Sequence, residues 1–414
     1  MSGLPIIRSD DLRVENRYRL LETLRRDGPL SRSTLGERTC LSAAAISTLI
    51  APLVAKGVLE TTSARGRRGR PQTTVALAPR AASVITAALS IDRLRTAVVD
   101  YAGDTLLVEE HVLDTRSLSG PALIRTVGDA VASLAPHAPD TRFERLGIAF
   151  QGIIDNASGA LLWSPIIGTR TVPLRAMLEA RFAVPASVGN DCALIARALH
   201  RHHPDTLGDD FATVLFTHGV GLSLTLDARP VAGIRSSALE MGHLRFERDG
   251  ALCRCGRRGC IEAYAADYGI ERIACGYPLH ETPSGRVDPD SLDRLIAAAR
   301  QGEQAAVEAF AIAGAAVGEG LAALFTLFDQ MPVALVGRSD DAFALMADGL
   351  HGALADAGFA DPPFGASPEL HGFDEEESLL DAGLALETLD ALDRRIAAGA
   401  GAAASARERR EVDA

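Results

Sequence analysis

Cys253, Cys255 and Cys260 fall within eight residues of a 414-residue chain that holds only six cysteines, and His243 and Glu262 bracket them. Thiolates so close together can ligate a metal or act as nucleophiles. In a reducing compartment either role is favoured over a disulfide. Gly256 and Gly259 sit inside the loop, where they help it fold back. A second chemical signal is the run Arg65-Gly-Arg67-Arg68-Gly-Arg70. Arginines separated by glycine are extended enough to lie in a narrow minor groove and meet its negative potential. Cys40, Cys192 and Cys275 are scattered and read as small buried apolar residues.

Composition limits what can position these groups. Hydrophobic residues make up 47% and charged residues 23% of the chain, as in a soluble protein of two or three domains. The expectation is a cytoplasmic protein with no membrane segment. No uninterrupted run of about 18 apolar residues occurs, and the first residues carry acids where a signal peptide would carry basic and apolar ones. Residues 1–80 hold 14 Arg/Lys against 7 Asp/Glu, whereas the rest of the chain is acidic enough to bring the net charge to −12. One end suits a polyanion.

That end reads as a winged helix-turn-helix over residues 1–62, with an Arg/Gly-rich wing and linker over 63–79. Val14, Tyr18, Leu21 and Leu24 fall at helical spacing, and Gly28-Pro29 ends the run. Ser31 can cap a second helix, Ser33 to Thr39, and Ser42 a third. The third helix buries Ile46, Leu49, Ile50 and Leu53 and leaves Ser42, Ala43, Ala44, Ser47 and Thr48 outside. Such a face is slim enough for a major groove. Pro52 is expected to kink or shorten this helix. Val58–Thr62 and Thr73–Leu77 read as the strands of the wing, with the arginines at its tip.

After Pro79, short β-rich runs alternate with helices. Ser83–Leu89, Thr96–Asp100, Leu106–Leu113 and Leu146–Phe150 read as strands, with a helix over Ala122–Ser133 and a second set from Ala212. Two α/β lobes are expected, 80–195 and 196–396, the second carrying the cysteine loop and the closing C-terminal helices. Sites in such folds lie at strand ends and between lobes. The tail 397–414 is of low complexity and expected to be disordered.

The run Glu240-Met-Gly-His243, then Cys253-x-Cys255-x4-Cys260 and Glu262, together with Gly189-Asn190-Asp191 and the winged helix, resembles the ROK family of sugar-responsive repressors and sugar kinases. The resemblance implies a two-lobed actin-like, ribonuclease-H-like body closing on a sugar. It implies structural zinc on His243, Cys253, Cys255 and Cys260, and three Cys with one His is one of zinc's usual closed sets. Sugar contacts carry over to Gly152, Asn190, Asp191, Glu240, His243 and Glu262. Carboxylates accept from paired hydroxyls, and the Asn amide both donates and accepts. His243 would then serve the metal with one ring nitrogen and the sugar with the other.

Asp191 stands where the kinases of the family keep their general base, so the phosphate loops must decide between kinase and repressor. Three elements depart from the kinase pattern. The first loop reads Ser90-Ile91-Asp92-Arg93-Leu94 in place of Asp-x-Gly-Gly-Thr. The second reads Thr217-His218-Gly219-Val220-Gly221-Leu222-Ser223, and Gly337-Arg338-Ser339 replaces a Gly-Gly pair. In the first loop close backbone approach to phosphate is lost; in the second two glycines survive but His218 stands for the threonine, and Arg338 would occupy the space against adenosine. In the sugar site, Gln151-Gly152 and Pro165-Ile166-Ile167 replace Pro-Gly and Pro-Asn-Leu, which removes one polar contact. The expectation is a homodimeric or homotetrameric regulator, a repressor, that binds double-stranded operator DNA and a sugar or sugar-derivative inducer and has no enzymatic activity. The alternatives are an ATP-dependent sugar kinase, or a constitutive DNA-binding protein whose body is an oligomerisation scaffold.

Overall fold

The computed structural model describes residues 9–64, 72–138, 143–168, 170–216, 218–236, 239–283, 288–360 and 367–399. The arginines of the expected wing tip, Arg65, Arg67, Arg68 and Arg70, lie outside the described residues, as does the tail beyond residue 399.

At the N-terminus, helix α1 (Ser9–Asp27) is followed by α2 (Arg32–Thr39) and α3 (Ala43–Ala55). Ser31 caps α2 by accepting from the Thr34 amide, and Ser42 caps α3 by accepting from the Ala45 amide. Cys40 ends α2 in the left-handed conformation, φ 56°, and the axes of α2 and α3 differ by 112°. That is helix-turn-helix geometry. Contrary to expectation, α3 runs through Pro52 to Ala55. Pro52 is exposed, so the Thr48 carbonyl it leaves without an amide is on the solvent side, while Leu49, Ile50 and Leu53 hold the helix to the core. Leu59–Ala64 and Gln72–Leu77 pair antiparallel as the wing.

The body contains two five-stranded sheets. In the first, the order is Ala186–Asn190, Arg145–Phe150, Ser83–Leu89, Arg93–Asp100, Thr105–Val112; in the second it is Leu370–Phe373, Val333–Val336, Phe211–Phe216, Val220–Leu226, Arg229–Pro230. Each sheet opens with an antiparallel meander of three strands and adds two parallel strands beside the first. The two lobes therefore repeat one topology. Gln304–Phe328, long and apolar enough to cross a membrane, supplies Phe310, Val317, Leu321 and Phe325 to the core of the second lobe.

The last helix, Glu376–Ala397, packs on the first sheet: Leu389, Leu392 and Ile396 share one buried cluster with Val84 and Val99 of that sheet and Tyr101 just after it. The same cluster contains Leu21, Leu24, Ile46 and Ile50 of the helix-turn-helix, so head and first lobe have a common core. Arg25 of α1 is buried against Asp393 of the last helix at 2.6 Å, and Tyr101 donates to the same carboxylate at 2.7 Å. The last helix also lies along Asp191–His202, where a side chain at Gly383 would come within 1.9 Å of the Leu194 carbonyl oxygen. Only glycine allows that approach.

Of the scattered cysteines, Cys192 is buried, but Cys40 and Cys275 are exposed. Both of the latter stand at helix C-caps, where the chain turns outward.

Candidate functional site

The cysteine loop is built by turns. The Gly256 amide donates to the Cys253 carbonyl, Cys253 to Arg257, and Gly259 to Ala251. Gly256 and Gly259 adopt φ +87° and +73°, and a β-carbon at Gly259 would strike the Glu247 carbonyl. The loop thus brings one donor atom each from His243, Cys253, Cys255 and Cys260 within 4.8 Å of one another. The sulfurs of Cys255 and Cys260 are 3.7 Å apart, and Nδ1 of His243 is 3.8 Å from the sulfur of Cys253. Two thiolates on a tetrahedral zinc at 2.3 Å each would stand about 3.8 Å apart. Donor set and spacing fit a four-coordinate metal. The Cys253 thiol is pushed well above the usual range by its contact with Cys260 and by burial, a cost that a divalent cation reverses.

Beside this loop, Gly152, Asn190, Asp191, Glu240, His243 and Glu262 all line one cleft. Gly152 follows a strand of the first sheet at φ +133°, where a β-carbon would stand 2.3 Å from the Trp163 carbonyl oxygen. Asn190 ends the outer strand and caps helix Asp191–His202: its Oδ1 accepts from the Ala193 amide at 3.2 Å and its Nδ2 donates to the Gly152 carbonyl at 3.0 Å. Two loops are thereby joined through one amide. Asp191 opens that helix and accepts from the Cys192 amide at 2.9 Å. Burial, with Glu240 adding its charge, raises the Asp191 carboxyl to about 7. Burial also raises Glu240, whose carboxylate lies 3.7 Å from Nε2 of His243.

Glu262 is buried and accepts from the Tyr268 hydroxyl at 3.1 Å and from the Cys253 thiol at 3.4 Å. Its other oxygen lies against Gly219, where a β-carbon would stand 2.8 Å away. Sequence reasoning missed Tyr268, which orients Glu262, and Trp163, whose ring meets that of His243 edge-on at 5.6 Å. Trp163 is a lone aromatic in a three-residue strand and Tyr268 the second residue of a short helix, so neither carried a periodic signal.

Ser90 to Arg93 form a plain hairpin turn, the Ser90 amide donating to the Arg93 carbonyl. Arg338 is buried. It donates to the Ala265 carbonyl at 2.8 Å and to Asp267 at 3.0 Å, and its guanidinium lies over the Phe216 ring at 5.3 Å. The side chain that replaces the family's second glycine is thus tied to protein groups.

In the head, Ser42, Ala43, Ala44, Ser47 and Thr48 are all exposed on one face of α3, and Ile46, Leu49, Ile50 and Leu53 are buried on the other. The Thr48 hydroxyl donates to the Ala44 carbonyl at 2.9 Å.

The family model described as ROK family matches residues 89–351. The chain is 25% identical over 330 residues to the DNA-binding transcriptional dual regulator NagC of Escherichia coli, covering 78% of this chain and 80% of that one. It is 28% identical over 251 residues to a glucokinase of Streptomyces coelicolor, covering 58% and 79%. A ROK family transcriptional regulator, described as a homolog of the E. coli MLC protein, shares its fold at a TM-score of 0.78 and 20% identity over 94% of this chain and all of the other.

Proposed function

The chain belongs to the ROK family, and from that premise we propose that it is a DNA-binding transcriptional repressor that senses a sugar in the cleft between its lobes. The observation that carries this reading is the helix-turn-helix, whose α3 and its N-cap present five small or hydroxyl-bearing residues to solvent and which shares a core with the first lobe. Phosphates would position the head, and α3 would read base edges. Two copies related by a two-fold axis would read a palindromic operator. The named regulators among its relatives and its cytoplasmic-type composition agree with this.

Asn190, Asp191, Glu240, His243 and Glu262 would hold the sugar by its hydroxyls. His243, Cys253, Cys255 and Cys260 would hold zinc, whose chemistry here is structural: it fixes the tautomer and direction of His243. Helix Asp191–His202 would relay occupancy. It begins at the cleft, spans about 18 Å, and ends where Arg201 donates to the carbonyls of Arg25 and Arg26 at the C-terminus of α1. A sugar that binds two arrangements of this helix with different affinity would shift the head between them.

A second reading, a sugar kinase, has one observation in its favour: a carboxyl raised to about 7 is what a general base needs. Against it stand the buried Arg338, the first loop without its glycine pair, and His218 in place of the second loop's threonine. Anisotropy with duplexes selected by the purified protein from genomic DNA, beside a coupled ATP-turnover assay with monosaccharides, separates the two. Selected binding without turnover supports the repressor; turnover without DNA binding refutes it.

A further inference from the structure

Trp163 is the only tryptophan in the chain, and it is placed for a ligand rather than for packing. Among the described residues it joins none of the buried apolar clusters, although its strand neighbour Leu161 is fully buried in the first-lobe core. It lines the same cleft as the carboxylates. Its backbone is fixed, since Trp163 pairs with Ile153 and its carbonyl lies against Gly152. Its ring is braced edge-on by His243. Downstream, Ile166 is buried in the lobe core, so this segment offers the cleft Trp163 and Pro165 and no polar group from Ile166.

The opposite requirement comes from the cleft's acids. Asp191, Glu240 and Glu262 line the same cleft, so an anionic ligand would add repulsion. A pyranose has hydroxyls around its rim and bare C–H faces. Building on the sugar-sensing reading above, we infer that Trp163 is the stacking platform for the C–H face of an uncharged pyranose, setting affinity while the carboxylates take the rim. Apolar contact in a cleft of this kind complements a few fixed polar groups.

The test titrates the full-length, metal-replete protein with D-glucose, N-acetyl-D-glucosamine and glucose 6-phosphate, following calorimetry and tryptophan emission together. An uncharged sugar is expected to change the emission with the calorimetric Kd, and the phosphate to bind at least about tenfold more weakly. Trp163→Ala should weaken the sugar about tenfold or more, and Trp163→Phe less than about threefold. Calorimetric binding with unchanged emission and an unchanged Kd in Trp163→Ala, or preference for the phosphate, overturns the inference alone. No binding of any of the three by the wild-type protein overturns the sugar-sensing reading and the inference with it.

Discussion

Nδ1 of His243 faces the sulfur of Cys253 at 3.8 Å, which leaves Nε2 to the cleft, 3.7 Å from Glu240. One ring thus touches both the cysteine cluster and the cleft. Loss of the metal should free the ring and blunt sugar binding as well. Cys255→Ser is expected to lose stoichiometric zinc and to weaken sugar binding about tenfold, second-sphere orientation being worth that much. Elemental analysis and calorimetry on one preparation check it; zinc loss with an intact sugar Kd refutes the link.

Arg201 caps the C-terminus of α1, where carbonyls lack intrahelical partners and a cation is favoured. Arg201→Met should therefore uncouple rather than disable. Sugar affinity is expected to change less than about twofold, while the sugar-induced loss of DNA affinity shrinks about fivefold or more. Paired anisotropy titrations with and without sugar measure both.

Asp191 makes the stability of the sugar-free protein depend on pH. Its folded pKa is raised from 3.8 to about 7, so the folded state binds a proton more tightly than the unfolded chain. Stability from this group is full below about pH 4, falls as pH rises toward 7 and is level above that. The buried carboxylate then costs at most about 4 kcal/mol. Asp191→Asn should raise the melting temperature at pH 8 and leave it nearly unchanged near pH 4, while sugar binding is lost.

Arg338 and Asp267 form a pair at 3.0 Å, with the guanidinium buried. Arg338→Ala should destabilise the second lobe by about 3 kcal/mol, because Asp267 loses its partner and Phe216 its cover. Denaturant unfolding gives the number. ATP should protect neither the wild-type protein nor this variant in a thermal-shift assay.

The parts legible in the sequence were those with local grammar. Ile46, Leu49, Ile50 and Leu53 repeat at helical spacing behind a capping Ser42, and the helix-turn-helix followed. The cysteine spacing picked out the cluster that the loop assembles. What depended on distant pairing was not legible. The repeated sheet topology arises from strands such as Phe211–Phe216 and Val333–Val336, about a hundred residues apart, with no shared motif. The last helix shows an apolar stripe through Leu389, Leu392 and Ile396, but a stripe does not name the surface that covers it, and it covers the first lobe. Cys40 and Cys275 were misread because residue type suggested burial where helix ends turn the chain outward.

Central to the account is one chain in which a sugar in the cleft controls DNA binding by α3. The most direct test is the affinity of the full-length protein for a duplex it has itself selected, measured by anisotropy with and without a saturating monosaccharide, with Ser47→Glu as the control. The account predicts that the sugar weakens binding at least about tenfold and that Ser47→Glu abolishes it without changing the melting temperature. Equal affinity with and without every sugar that the protein binds, or undiminished binding by Ser47→Glu, would contradict it.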